Sequence, residues 1–268
     1  MKLVAIDMDG TLLQSDKTIS KETITEVKKA YEQGIEIVIC TGRCIKELSE
    51  IYEHLPFIRY VIVTNGAFVY DLKEQKVLYE NSIPVSLVKK IFEVSHLTDC
   101  MLHILDYECV LELDKVQQVD KYGMLAYKPL YEQIGTLIPN IEDYYSNHEK
   151  PIQKINMYHT SKKDRDISIK ALSNFDLALT YAENSALEIT AKNVNKGIGL
   201  TKLCQILNIN KNDIYAIGDS YNDISMFEIA HCSFAMNNGK DRVKQCANYI
   251  VSDNDHNGVI EALEIIKQ

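Results

Sequence analysis

Asp7 and Asp9 stand two residues apart, directly after the apolar run Leu3-Val4-Ala5-Ile6 and just before Gly10 and Thr11. In an extended segment, residues i and i+2 project to the same side, so both carboxylates leave the strand together. Held side by side they repel each other, and a cation is the usual reason for keeping them so. Magnesium suits the pair, because it is a hard ion that takes few protein carboxylates and completes its shell with water and phosphate oxygens. Gly10 then allows a sharp turn.

The elements around this pair must bring other polar groups to it. Residues 3–6 read as a strand buried on both faces. Ser20 is a candidate N-cap, Ile24, Val27, Ala30 and Tyr31 follow at helical spacing, and Gly34 closes that helix. A second apolar run at 35–40 ends in Thr41-Gly42-Arg43, with a helix expected over 45–54. A third at 60–63 ends in Thr64-Asn65-Gly66-Ala67. An apolar strand ending in a small polar turn that leads into a helix, repeated in this way, predicts a doubly wound α/β domain whose ligands bind beyond the carboxyl ends of the strands. From Ser82 the pattern changes. Strand-like pieces at 101–105, 110–113, 152–158 and 177–181, with a helix starting at Pro84 and another over 164–172, predict an inserted α+β domain over 83–186, between core segments 1–82 and 187–268. The first pattern resumes at Asn195-Lys196-Gly197. There a helix is expected to turn Ile198, Leu203, Ile206 and Leu207 inward. A strand at 214–217 delivers Gly218-Asp219-Ser220-Tyr221-Asn222-Asp223, and strands at 233–236 and 249–251 and a helix over 259–267 complete the core.

Composition bounds the function. At 268 residues, with 46% hydrophobic and 25% charged, the chain has the make-up of an ordinary globular enzyme long enough for two domains. The net charge of -9 argues against nucleic-acid or membrane-surface partners, which call for clustered Lys and Arg. Asp7 interrupts the first apolar run far short of a signal peptide, and no run approaches the roughly 18 apolar residues of a membrane span. The 7 cysteines are scattered without C-x-x-C. They indicate neither a disulfide framework nor a zinc site, and place the protein in a reducing cytoplasm. The 7 histidines form no metal-ligating spacing and are expected to be surface or core residues. No heptad or apolar stripe indicates an oligomeric state.

In order, D-M-D-G-T-L-L, T-G-R, T-N-G-A, N-K-G-I-G-L and G-D-S-Y-N-D resemble the motifs of the haloacid dehalogenase superfamily of phosphotransferases. The insertion between the second and third motifs resembles the Cof-type branch, whose cap domain lies there. The resemblance implies a phosphatase acting on a small phosphorylated metabolite, with Mg2+ as cofactor. It makes Asp7 the nucleophile that forms an aspartyl-phosphate, and Asp9 the acid and base. It places the metal on the Asp7 side chain, the Asp9 backbone carbonyl and Asp219, with Asp223 in the metal set through its waters or through Lys196. Met8, Thr41, Gly42, Lys196 and Asn222 would bind phosphate, and Arg43, Asn65 and Gly66 are candidate substrate contacts. The chemistry agrees with these residue types. A carboxylate approaching a phosphate dianion meets a barrier of roughly 8 kcal/mol at about 4 Å and an effective dielectric of ~20. A metal ion and the Lys196 ammonium would cancel most of it. The Thr41 hydroxyl and a Gly42 N–H at a helix start would bind phosphoryl oxygens.

Other chemistries fit less well. A cysteine-dependent phosphatase would need an arginine six residues after Cys40, where Lys46 stands. G-x-S-x-G, a Walker A motif and G-x-G-x-x-G are absent. A phosphosugar mutase sharing the aspartyl-phosphate, or a non-hydrolytic phospholigand-binding regulator, remains open at this point.

Overall fold

β1 (Leu3–Ile6) is apolar from end to end and fully buried, as a parallel strand covered on both faces must be. The structure, a computed structural model, describes residues 1–147, 150–182 and 185–268, and His148 lies outside them. The chain divides into two compact units. One comprises Met1–Gly42, Leu48–Glu80 and Asn195–Gln268; the other comprises Arg43–Glu47 and Asn81–Val194. In the first, β1 is followed by β2 (Glu36–Cys40), β3 (Tyr60–Val63), β4 (Phe68–Asp71) and β5 (Lys76–Glu80). The second unit contains β6 (Cys100–Leu105), β7 (Cys109–Glu112), β8 (Thr136–Ile138), β9 (Lys154–His159), β10 (Leu177–Ala182) and β11 (Ala186–Ala191). β12 (Ile214–Gly218), β13 (Cys232–Met236) and β14 (Tyr249–Val251) complete the first.

The sheet of the first unit runs β14-β13-β12-β1-β2-β3-β4-β5. β1 is parallel to both of its neighbours, with Ala5 opposite Ala216 on β12 and Val38 on β2. The chain thus leaves β1 toward one edge and later builds the other edge outward from β12. That reversal is the switch point of a doubly wound sheet, where a crevice opens beyond the carboxyl ends. Asp7 and Asp219 are the first residues past those two ends. On one face, Leu3, Ala5, Val38 and Ile62 pack with Leu200, Leu203 and Met226. The helices Lys21–Glu32 and Gly258–Lys267 contact each other. The first of them is capped as its sequence predicts, with Ser20 Oγ accepting the Thr23 N–H at 3.1 Å and Gly34 at φ 85°.

Three local expectations fail, each for a physical reason. β3 is not followed by a helix. Thr64, Asn65 and Gly66 all take positive φ (50°, 58° and 92°), the chain reverses, and β4 and β5 add an antiparallel hairpin to the edge. The helix expected over 45–54 is divided: the 3₁₀ turn Ile45–Glu47 falls in the second unit and the helix Ser49–His54 in the first. Cys44 N–H donates to the Glu47 carboxylate at 2.8 Å, and Leu48 leaves helical geometry at φ -102° and ψ 26°. The helix Lys196–Leu207 buries Gly197, Gly199, Leu200 and Leu203, while Ile198 is only half-buried and Ile206 is 45% exposed. The glycines turn that face inward because a Cβ on Gly197 would stand 2.1 Å from Ser225 O, and one on Gly199 would stand 2.6 Å from Ile62 Cγ2.

The sheet of the second unit runs β10-β11-β9-β6-β7-β8 and is antiparallel except between β7 and β8. Alternate residues serve its two faces. Leu102, Ile104, Ile155, Met157 and Leu187 pack with Val88, Ile91 and Leu172 from its helices. On the other face, Met101, Leu105, Cys109 and Leu111 pack with Cys44, Tyr122 and Tyr131.

Candidate active site

The turn after β1 is fixed by its own backbone and by the loop after β12. Asp7 N–H extends the ladder to Ile217 O at 3.0 Å, and the Asp7 and Met8 carbonyls accept the Leu12 and Leu13 N–H groups at 3.2 and 2.9 Å. Gly10 sits at φ 79°, and a Cβ there would stand 2.7 Å from Asp219 Oδ2, so only glycine lets the turn press against that carboxylate. Thr11 hydroxyl donates to Asp219 Oδ1 at 3.2 Å, and Asn238 Nδ2 donates to Gly10 O at 2.8 Å. The Met8 side chain is fully buried, which leaves only its backbone for a ligand.

Lys196 enters from the start of the helix Lys196–Leu207, which Asn195 caps by accepting the Ile198 N–H at 2.8 Å. Its buried Nζ donates to Asp7 Oδ1 at 2.5 Å and to Asp223 Oδ1 at 2.6 Å. The other oxygen of Asp223 accepts the Asp219 and Ser220 N–H groups at 3.0 and 2.9 Å, so this side chain ties Lys196 to the loop after β12. Asp7, Asp219 and Asp223 each place a carboxylate oxygen within 4.8 Å of the others.

Three carboxylates and one ammonium leave this cluster short of positive charge. Burial holds Asp7 well above the usual carboxylate range, with Asp223 adding to the effect. Burial first, then Asp223, pushes Asp219 up to about 6. Burial pulls Lys196 down, but Asp223 and Asp7 outweigh it, so the ammonium is held more firmly than in water. A dication would balance the remaining charge, and the all-oxygen donor set fits a hard ion of the magnesium class.

The other expected residues fall in several places. The Asp9 carboxylate stands apart from the three, with Oδ1 3.0 Å from Lys17 Nζ. Asn222 Nδ2 donates to Asn65 Oδ1 at 3.1 Å. Thr41 is buried just past β2, its N–H donating to Ile62 O and its carbonyl accepting the Asn65 N–H. No regular helix begins at Gly42, so the helix-start N–H expected there is not formed. Arg43 belongs to the second unit, where Nη1 donates to Glu47 O at 3.2 Å. A Cβ on Gly66 would stand 2.1 Å from Asn195 O. Gly66 therefore seats the turn after β3 against the helix that carries Lys196. Thr11, Lys17 and Asn238 were not anticipated. Thr11 lay within the D-M-D-G-T stretch, whereas the other two carried no local signal.

A family model described as haloacid dehalogenase-like hydrolase matches residues 4–263. The chain belongs to that family. Among its relatives, a 5-amino-6-(5-phospho-D-ribitylamino)uracil phosphatase of Bacillus subtilis is 32% identical, with 97% of this chain and 96% of that protein aligned. A pyridoxal phosphate phosphatase of Escherichia coli is 25% identical, with 97% and 96% aligned. A solved structure of a haloacid dehalogenase-like hydrolase from B. subtilis superposes with a TM-score of 0.86 at 26% identity, covering 98% of this chain and 99% of that one. The chain is a phosphatase of this haloacid dehalogenase-like family. Among the described residues, no helix is long and apolar enough to cross a membrane.

Proposed function

We propose that this phosphatase hydrolyses small phosphate monoesters through an aspartyl-phosphate on Asp7, with magnesium held by Asp7, the Asp9 backbone and Asp219 and supported by Asp223. The observation that carries the reading is the buried Lys196 ammonium, placed 2.5 Å from Asp7 and 2.6 Å from Asp223 beside a third carboxylate. A bound magnesium ion would neutralise charge between the Asp7 carboxylate and the phosphoryl oxygens.

In the first step, an Asp7 carboxylate oxygen bonds to phosphorus, the ester P–O bond breaks, and the departing oxygen takes a proton from Asp9. In the second, a water oxygen bonds to phosphorus, its proton passes to Asp9, and the Asp7–phosphorus bond breaks to release inorganic phosphate. Lys196 holds Asp7 in place and offsets the repulsion between carboxylate and dianion. Asp9 must carry a proton for the first step. Its pair with Lys17 is half-exposed and worth at most about 1 kcal/mol, so it opens at little cost. Residues 81–194 would read the leaving group.

A panel of phosphate esters tests the reading. It should include phosphorylated sugars and the two ligands named for the relatives, a ribitylaminouracil phosphate and pyridoxal phosphate. Free phosphate should appear with magnesium, stop with excess chelator, and return when magnesium is restored. Full turnover in chelator would remove the metal from the mechanism. An isomerised sugar phosphate without free phosphate would make the protein a mutase.

A further inference from the structure

A second group of metal-ligating side chains lies wholly within the second unit. Glu47, on the 3₁₀ turn, His103 on β6 and Cys109 at the start of β7 each place one ligand atom within 4.8 Å of the other two. His103 Nε2 is 3.0 Å from Cys109 Sγ and 3.9 Å from Glu47 Oε1. In a tetrahedral zinc site, with metal–ligand bonds of about 2.0 to 2.3 Å, such atoms stand roughly 3.4 to 3.6 Å apart, between the two observed values. All three residues are buried, among Met101, Leu105, Leu111 and Tyr131. The ring nitrogen of His103 that faces away, Nδ1, is buried without a hydrogen-bond partner. The ring packs edge-on to Tyr131 at 5.1 Å, which fixes its plane.

We propose that Glu47, His103 and Cys109 form a binding site for a zinc-class dication. A thiolate and an imidazole select a borderline-soft ion over magnesium. With its proton on Nδ1, the ring turns the Nε2 lone pair toward Cys109 Sγ and Glu47 Oε1. Cys44 N–H already holds Glu47 Oε2, leaving Oε1 directed toward His103. Binding displaces the Cys109 thiol proton to solvent, along with the Glu47 proton where one is present. The dication with one thiolate and one carboxylate is then neutral overall, as a buried site requires. The ion would fasten the Arg43–Glu47 segment, which follows Thr41 and Gly42 in the chain, to the β6–β7 pair. No sequence spacing announces the site, because Glu47 is remote in sequence from the other two ligands.

The test uses the full chain, stripped with chelator, desalted, and returned to excess magnesium to fill the phosphatase site. One equivalent of zinc should remain after gel filtration, and cobalt should give a thiolate-to-metal charge-transfer band that magnesium-type oxygen sites cannot give. Cys109→Ser should lose the band and weaken zinc binding by about 100-fold or more, beyond what loss of a supporting residue produces. Asp219→Asn should retain both signals, which separates this site from the phosphatase centre. Cys246→Ser should also retain both, because Cys246 is exposed and lies outside the cluster. If circular dichroism shows Cys109→Ser unfolded, Glu47→Gln, which keeps the thiol and the imidazole, should bind zinc more weakly while still showing the cobalt band. A wild-type protein that holds no zinc and shows no cobalt band overturns the proposal. So does a band that survives Cys109→Ser or disappears with Cys246→Ser.

Discussion

Replacing Lys196 by methionine keeps an unbranched side chain of similar reach and removes only the buried charge. At about 2.5 Å and an effective dielectric of ~20, each of the Lys196 contacts to Asp7 and Asp223 is worth roughly 6 to 7 kcal/mol before desolvation. Burying the ammonium costs several kcal/mol in return. Breaking a buried pair from one side leaves the partner charges uncompensated and typically costs about 3 to 5 kcal/mol. Here two carboxylates lose their cation at once, with Asp219 close by, so the upper part of that range is expected.

The loss should depend on pH, and the sign follows from the raised proton affinity of the carboxylates. Burial already holds Asp7 above its ordinary value of 3.8, and Lys196 is the main influence lowering it. Without Lys196 it rises further. A carboxylate whose folded pKa is raised is protonated in the folded state before it is protonated in the unfolded one. Stability therefore falls as pH climbs from the unfolded value toward the folded value, and stays low above it. Lys196→Met should thus lose far more at pH 8 than at pH 5. Urea unfolding in chelator, followed by circular dichroism, measures this at both pH values. A midpoint shift on the order of 1 M is expected at pH 8. Adding Asp223→Asn should recover part of the loss, because one of the stranded charges is then gone. An equal loss at both pH values, or none at either, would refute the charge-balance account.

Other expectations follow from the same geometry. Asp9→Asn should slow sugar-phosphate hydrolysis by about 10²- to 10⁴-fold, yet leave a burst of nitrophenol from p-nitrophenyl phosphate in rapid-quench experiments. Equal slowing of both first steps without a burst would make Asp9 a positioning residue. Gly66→Ala combines a strained φ of 92° with a Cβ 2.1 Å from Asn195 O, so it should cost more than about 2 kcal/mol in thermal unfolding and lower turnover by shifting Lys196. Gly34→Ala, strained at φ 85° with nothing within 4 Å, should cost less and leave turnover unchanged, and equal effects at the two glycines would contradict the packing role of Gly66. Replacing residues 81–194 by a short linker should retain slow hydrolysis of p-nitrophenyl phosphate and erase discrimination among larger esters. Unchanged relative rates would deny those residues a role in specificity.

What could be read in the sequence was what local patterning determines. β1, β2, β3 and β12 are short apolar runs with two covered faces, and such runs need no long-range information to be recognised. Because β1 and β12 are parallel neighbours, the carboxylates placed just past their ends had to meet. The hairpin of β4 and β5 was missed because β5, Lys-Val-Leu-Tyr-Glu, is an edge strand whose side chains are half-exposed and whose alternation is weak. The divided helix over 45–54 was missed because Glu47 turns inward, accepting the Cys44 N–H and facing His103 far along the chain, and periodicity has no term for such contacts. β11 was missed because its partners, β9 and β10, are chosen by tertiary pairing.

The centre itself was betrayed by a broken local rule. A lysine at the first position of a helix opposes the macrodipole at about 0.3 to 1 kcal/mol, and solvent gives no reason to bury it there. Lys196 is nevertheless fully buried at that position, since Asp7 and Asp223 repay both penalties through contacts of 2.5 and 2.6 Å. Thr64 and Asn65 break another rule with their positive φ values, and they do so in the turn that Gly66 seats against the start of the same helix. Strain of this kind persists only where the surroundings over-determine it. Both irregularities therefore point to the same place, the start of the Lys196–Leu207 helix, where the chain gives up local stability to hold one ammonium group against two carboxylates.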